Sequence, residues 1–173
     1  MSLDLDIKDE QKEAVPGTSP VTADKVSLSE LRLEQFFEGK TLAYGMFEDR
    51  FGKVRTQFKA DFQGSFDGTT LTLVEDFLYA DGSTEVRNWT IRPQDDNTYV
   101  AQASGIEGDI IGTLDGKTYH WQYQMGIPIL GKPRMCDFDD WMYLQPDNVV
   151  INRVRVSWKG IRIGQVIIML CKP

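Results

Sequence analysis

From Val54 to Phe66 the chain alternates almost without a break. Val54, Thr56, Phe58, Ala60, Phe62 and Phe66 share one parity, and Arg55, Gln57, Lys59, Asp61, Gln63 and Ser65 the other. A side-chain period of two belongs to an extended strand with one buried face, and no helix can use it. Tyr119, Trp121, Tyr123 and Met125 alternate equally well with His120, Gln122 and Gln124. Turn signals punctuate the runs: Asp67-Gly68, Asp81-Gly82, Asp96-Asn97, Asp115-Gly116, Pro146-Asp147-Asn148 and Lys159-Gly160. Glycine and Asn/Asp supply the positive backbone angles that tight hairpins require.

The runs between turns predict about ten strands, at 40–48, 53–66, 70–79, 84–92, 98–104, 109–114, 118–126, 134–144, 149–157 and 161–171. Short connections make a meander, and one this long removes its unpaired edges by closing on itself. The expected fold is therefore all-β, an antiparallel up-and-down barrel with one N-terminal helix. Eight to ten strands enclose a space that side chains fill or that one small ligand occupies. A two-layer sandwich is the alternative if 127–133 (Ile-Pro-Ile-Leu-Gly-Lys-Pro) carries the chain between sheets. At 173 residues one domain suffices.

Two N-terminal segments stand apart. Residues 1–26 are rich in Asp and Glu, lack aromatics and contain Pro16-Gly17-Thr18-Ser19-Pro20. This composition predicts a disordered acidic tail ahead of a single domain at 27–173. The tail has neither the basic start nor the apolar core of a secretory signal. As written the chain reads as cytoplasmic, with the cell envelope as its place if an export segment has been removed. Ser27 and Glu30 then have capping-box spacing, Val26 and Leu31 that of a hydrophobic staple, and Gly39 suits a left-handed cap. These signals predict a helix over 28–38, plugging or flanking one end of the barrel.

A net charge of −7 argues against nucleic acid or an anionic membrane as partner through a basic surface. No apolar run reaches the roughly 20 residues of a membrane span. With two cysteines and one histidine, zinc sites of the four-Cys or two-Cys-two-His kind are excluded, and no cofactor or metal is expected. Cys136 and Cys171 read as buried reduced thiols, a disulfide requiring neighbouring strands in an exported form. His120 lies on the polar side of its strand, as a solvent-facing or hydrogen-bonded residue, with a base or haem ligand as the alternative. The glycines of 105–112 lack the helix that a phosphate-binding fingerprint needs and fit bulges and bends better.

Charges on apolar parities carry more information. Glu75 shares a face with Leu71, Leu73 and Phe77, and Arg87 on the next strand is its expected partner. A hairpin through Pro146-Asp147 is expected to set Asp140 opposite Arg153 and Asp137 near Arg155 or its neighbours. Cross-strand ion pairs that fix register are one explanation. A barrel interior whose few polar groups orient a ligand's head is another. Paired acids performing acid–base chemistry, Glu75 with Asp76 or Asp139 with Asp140, are disfavoured because adjacent strand residues point to opposite faces. Trp89, Trp121, Trp141 and Trp158 fall on separate strands among Phe58, Phe62, Phe77, Tyr79, Tyr123 and Phe138, an inventory for a core or for the lining of an apolar cavity.

The ordered motifs Phe36-Phe37-Glu38-Gly39, Gly45-x-Phe47-x-Asp49-Arg50-Phe51-Gly52, Leu73-x-Glu75-Asp76-Phe77-x-Tyr79-x-Asp81-Gly82, Arg87-x-Trp89 and Asp139-Asp140-Trp141-Met142-Tyr143-Leu144 resemble an uncharacterised bacterial domain-of-unknown-function family. Its members are small single domains, often lipoprotein-anchored in the envelope. The resemblance implies a lipid-related role, since the family's genes are often found beside enzymes resembling cyclopropane-fatty-acid synthases. This chain departs from those members in having no lipobox cysteine near its start. In architecture the expected barrel is lipocalin-like, of the calycin type, although the Gly-x-Trp of a lipocalin's first strand is missing.

The combined expectation is a non-enzymatic barrel holding a small hydrophobic ligand, a fatty acid or modified lipid. Glu75, Arg87, Trp89, Tyr123, Asp140, Trp141 and Arg153 are the expected ligand-binding residues, and no residue is assigned a catalytic role. The alternatives are a small lipid-pathway enzyme using a carboxylate as acid or base, and an envelope scaffold with a filled barrel.

Overall fold

In a computed structural model the described residues are 28–129 and 131–173. Ten strands follow a single short helix, α1 (Leu33–Phe36): β1 (Gly39–Asp49), β2 (Val54–Phe66), β3 (Leu71–Tyr79), β4 (Thr84–Pro93), β5 (Thr98–Ala103), β6 (Ile110–Asp115), β7 (Thr118–Ile129), β8 (Lys132–Leu144), β9 (Val150–Trp158) and β10 (Ile161–Cys171). Each strand pairs antiparallel with its sequence neighbour, and β1 pairs with β10 to close the barrel. Closure satisfies every edge, so the up-and-down barrel expected from the meander is the observed fold. β3 shows the alternation at its cleanest, with Leu71, Leu73, Glu75 and Phe77 buried and Thr72, Val74, Asp76 and Leu78 exposed.

Residues 127–133 do not carry the chain between two sheets. Residues 127–129 and 132–134 lengthen the β7–β8 hairpin, with Ile127 opposite Arg134, Pro128 opposite Pro133 and Ile129 opposite Lys132. Two prolines can face each other only where the ladder asks for no N–H donor, and that pairing keeps the hairpin regular.

The helix over 28–38 is not formed; only Leu33–Phe36 is helical. Ser27, and with it half of the capping box, lies outside the described residues, as does the acidic segment 1–26. Glu30 pairs with Arg32 at 3.0 Å. The long-range contacts explain the difference. The Leu28 N–H donates to Asn148 Oδ1 (2.7 Å) and the Leu31 N–H to the Gly116 carbonyl (2.9 Å), which draws 28–32 across two turns of the barrel. Leu31, Leu33, Phe36 and Phe37 are then all buried, at a spacing that one helical stripe cannot present. Gly39 does take the left-handed conformation (φ 74°), as the chain bends into β1.

This segment closes one end of the barrel. Tyr99 donates its hydroxyl proton to Glu34 (2.8 Å), the Phe66 N–H donates to Glu38 (2.8 Å), and Lys172 Nζ donates to the Glu38 carbonyl (2.8 Å). The Phe37 carbonyl lies so close to Gly64 on β2 that any Cβ there would collide with it. Beneath the segment, Leu71, Ile91, Tyr99, Tyr119, Leu144, Val150 and Leu170 form a layer with almost no exposed surface. Each such side chain contributes about 1.5–3 kcal/mol on burial.

Candidate ligand cavity

Above this layer the barrel is hollow. A cavity of about 210 Å³ is lined on its apolar side by residues such as Phe58, Phe77, Tyr79, Ile127, Phe138 and Val166. An engineered cavity of about 150 Å³ already holds benzene, so the space suits one small hydrophobic molecule. The period of two decides which residues reach it. From β3 comes Glu75, from β4 Arg87 and Trp89, from β7 Trp121 and Tyr123, from β8 Asp140 and from β9 Asn152.

Glu75 and Asp140 stand on opposite walls, β3 and β8 being five strands apart in either direction round the barrel. Glu75 is only 9% exposed and Asp140 only 4%. Burial pushes the Glu75 carboxyl up to about 7, against the pull of Arg87 and the Trp89 indole N–H; the charges on Asp140 and Glu85 add to the rise. Burial likewise pushes Asp140 up to about 6, opposed by Trp121, Asn152 and Tyr123. Asn152 Nδ2 donates to Asp140 Oδ1 and to the Trp141 carbonyl (3.0 Å), while the Tyr123 hydroxyl reaches Asp140 Oδ2 at 3.4 Å. Burial raises the Tyr123 phenol well above its ordinary value, so Tyr123 remains a proton donor.

Between the two carboxylates the indoles of Trp89 and Trp121 stack at 4.9 Å with 19° between their planes. Trp89 acts electrostatically on Glu75 and Trp121 on Asp140, yet neither buried indole nitrogen has a partner at full hydrogen-bond geometry among the described residues.

Glu75 faces Arg87 directly across the β3–β4 ladder, the register expected from the sequence. The guanidinium nonetheless makes its close ion pair elsewhere: Arg87 Nε lies 2.7 Å from Glu85 Oε1, two residues along the same strand face. The Tyr79 hydroxyl donates to the other oxygen of Glu85 (2.8 Å), and Arg87 lies 5.0 Å over the Phe77 ring. Two carboxylates, Glu85 and Glu75, thus act on one guanidinium in the upper barrel. Glu85, Trp121 and Asn152 were not among the expected residues. The parities of Glu85 with Arg87 and of Trp121 with Tyr123 were available to find the first two; Asn152 depended on the β8–β9 register.

That register departs from the expected one. Asp140 pairs with Val154, Asp137 with Ser157, and Arg153 with Trp141. The expected Asp140–Arg153 pair is therefore not formed, and the Trp141 and Arg153 side chains lie on the outer wall. Trp141 stacks on His120 at 3.9 Å, and Arg153 reaches the Tyr143 hydroxyl at 3.0 Å. His120 is hydrogen-bonded to Asp139 on the outer wall, through Nε2 at 2.8 Å. Cys136 and Cys171 are free thiols on β8 and β10, strands that are not neighbours. Among the described residues no three His, Cys, Asp or Glu converge to hold a metal ion, and no helix is long and apolar enough to cross a membrane.

The chain belongs to the family described as Protein of unknown function (DUF3833), which matches residues 17–172. No curated protein matches it. Among solved structures it is similar to the S-type phycobiliprotein lyase CPES from Guillardia theta, at 6% identity and a TM-score of 0.58 over 81% of this chain and 90% of that one. A redesigned β-barrel, mFAP1, bound to DFHBI matches at 13% identity and a TM-score of 0.43, over 82% of this chain and 99% of that one. The likeness to the lyase places the fold among calycin-like barrels.

Proposed function

We propose that the protein is a non-enzymatic container for one small hydrophobic molecule. The observation that carries this reading is the cavity of about 210 Å³, lined mostly by apolar and aromatic side chains with a few polar groups, Glu75, Arg87, Asp140 and Asn152, among them. A filled scaffold would place side chains there, as the closed end does.

Native mass spectrometry of the full chain purified from a bacterial host, followed by organic extraction, tests the proposal. A bound mass near one equivalent that extraction removes is the expected result. A clean apo mass, together with no quenching of tryptophan fluorescence by added eight-carbon hydrophobes, overturns it.

One observation favours a second reading. Two buried carboxyls raised to about 7 and about 6 within one cavity are what acid–base chemistry near neutrality uses. If the barrel turns over a ligand, Glu75→Gln abolishes that turnover and leaves the fold intact; unchanged turnover removes Glu75 from such a mechanism.

A further inference from the structure

The polar groups of the cavity discriminate between the possible head groups of a ligand. An anionic head would need a free guanidinium, yet Arg87 is already bound by Glu85, which Tyr79 also holds. The same head would meet Glu75 and Asp140, neither of which has a cationic partner within ion-pair distance among the described residues. The excess of carboxylate over guanidinium, inside a wall of aromatic faces, is the environment that receives a cation. Buried carboxylates attract it by charge, and Trp, Tyr and Phe rings by their quadrupoles.

Resting on the container reading above, we propose that the ligand is a small apolar molecule carrying a protonated amine. Its nitrogen is held in the layer of Glu75 and Asp140 beside the stacked Trp89 and Trp121, and its hydrocarbon lies toward Phe58, Phe77 and Phe138.

An ammonium supplies the positive charge that neither carboxylate has at ion-pair distance among the described residues. It also explains how two acids persist in an apolar barrel. Each bears a desolvation cost alone, and the occupant's charge offsets it. The charged and titratable groups facing Glu75 are Arg87 and Glu85 on β4, Tyr79 on β3, Tyr123 on β7 and Asp140 on β8. Those acting on Asp140 are Tyr119, His120 and Tyr123 on β7 and Glu75 on β3, with the neutral Asn152 on β9. Among the groups lining the cavity, those that change charge between mildly acidic and mildly basic pH are these two acids. An alkylamine, like a lysine with its pKa of about 10.4, stays protonated throughout. Amine affinity therefore rises with pH as Glu75 and Asp140 ionise.

The test compares octylamine, octan-1-ol and octanoate on the full chain by tryptophan fluorescence and calorimetry. At about pH 8 octylamine is expected to bind about tenfold tighter than octanol, and octanoate weakest. The amine's advantage should shrink at about pH 5, where both acids are protonated, while octanol binding stays level. Glu75→Gln and Asp140→Asn should each cost the amine about tenfold more in affinity than they cost octanol. Octanol binding with an amine no tighter, or octanoate binding tightest, overturns the amine assignment and leaves the container standing. Binding of none of the three overturns both.

Discussion

At the end of the barrel closed by the N-terminal segment, Leu31, Leu33, Phe36 and Phe37 are each no more than 2% exposed, and aromatic edges meet side chains on every side. Phe36 and Phe37 pack edge to face at 4.9 Å, as do Tyr99 and Tyr119 at 5.5 Å. Further up, Phe58, Tyr79, Tyr123 and Arg87 lie within the same wall and on the same inward parity, but they border empty space. One sheet and one alternation pattern have produced a solid end and a hollow one. The difference lies in what the chain adds from outside the sheet: a segment threaded over one rim, and nothing comparable over the other among the described residues. Packing at the closed end supplies stability, so the hollow part can tolerate two carboxylates that a filled core would expel.

The largest test of this contrast is a pair of truncations. Phe36→Ala removes a ring enclosed on all sides and should cost about 3–5 kcal/mol, because its neighbours cannot collapse into the space. Phe58→Ala removes a ring that already faces the cavity and should cost at most about 2 kcal/mol, having fewer contacts to lose. Urea unfolding of the two variants measures the difference. Equal losses would mean that the upper barrel is as tightly packed as the plug.

Next in size is the effect of the buried acid. The Glu75 carboxyl titrates near 7 in the folded chain, above the 4.5 of a free glutamate side chain. The folded state therefore holds that proton more tightly than the unfolded chain does. Stability falls as pH rises from about 4.5 to about 7 and is then level, while below about 4 the cost is absent. The shift corresponds to roughly 3 kcal/mol. Glu75→Gln should therefore stabilise the empty barrel by about that much at about pH 8 and by almost nothing at about pH 4. The comparison sharpens if the gain appears only at the higher pH; a pH-independent effect would show that Glu75 carries no isolated charge.

Parity made much of this legible in advance. Alternation put Glu75 and Arg87 on apolar faces, and the Asp81-Gly82 hairpin did bring them opposite each other. Parity also contained the reason why Asp140 and Trp141 cannot both reach one cavity, since neighbours on a strand face opposite ways. The β8–β9 register was harder to read. Its connection holds two residues with positive φ, Asp147 (59°) and Asn148 (55°), within a 3₁₀ turn, and a one-residue offset there moves Arg153 to the other wall. The N-terminal segment misled for another reason. Its capping signals are local, whereas its conformation is fixed by hydrogen bonds to Gly116 and Asn148, far along the chain. Whether aromatic side chains fill a barrel or leave it hollow depends on volumes summed over ten strands, which no single motif encodes.

The smallest expected effect comes from the outer wall, and it isolates the role of burial. Asp139 and Asp140 are adjacent in sequence and chemically identical, yet they titrate in opposite directions. Burial would raise Asp139 too, but it is outweighed by donors that gather on Oδ1, namely His120 (2.8 Å), Gln122 (3.0 Å) and Trp141 (3.3 Å), and its pKa falls. Its contribution to stability is accordingly present above the unfolded value of about 3.9 and lost as pH drops through the folded one, the reverse of Asp140. With a side chain 31% exposed, that contribution is screened, so Asp139→Ala should cost about 1 kcal/mol or less at neutral pH. Octylamine affinity should be untouched, because the altered side chain lies outside the barrel. A loss comparable to that of Asp140→Asn would mean that the Asp139–Trp141–His120 cluster holds the β7–β8 wall in the shape the cavity needs, and the division between outer and inner walls would then fail as an energetic boundary.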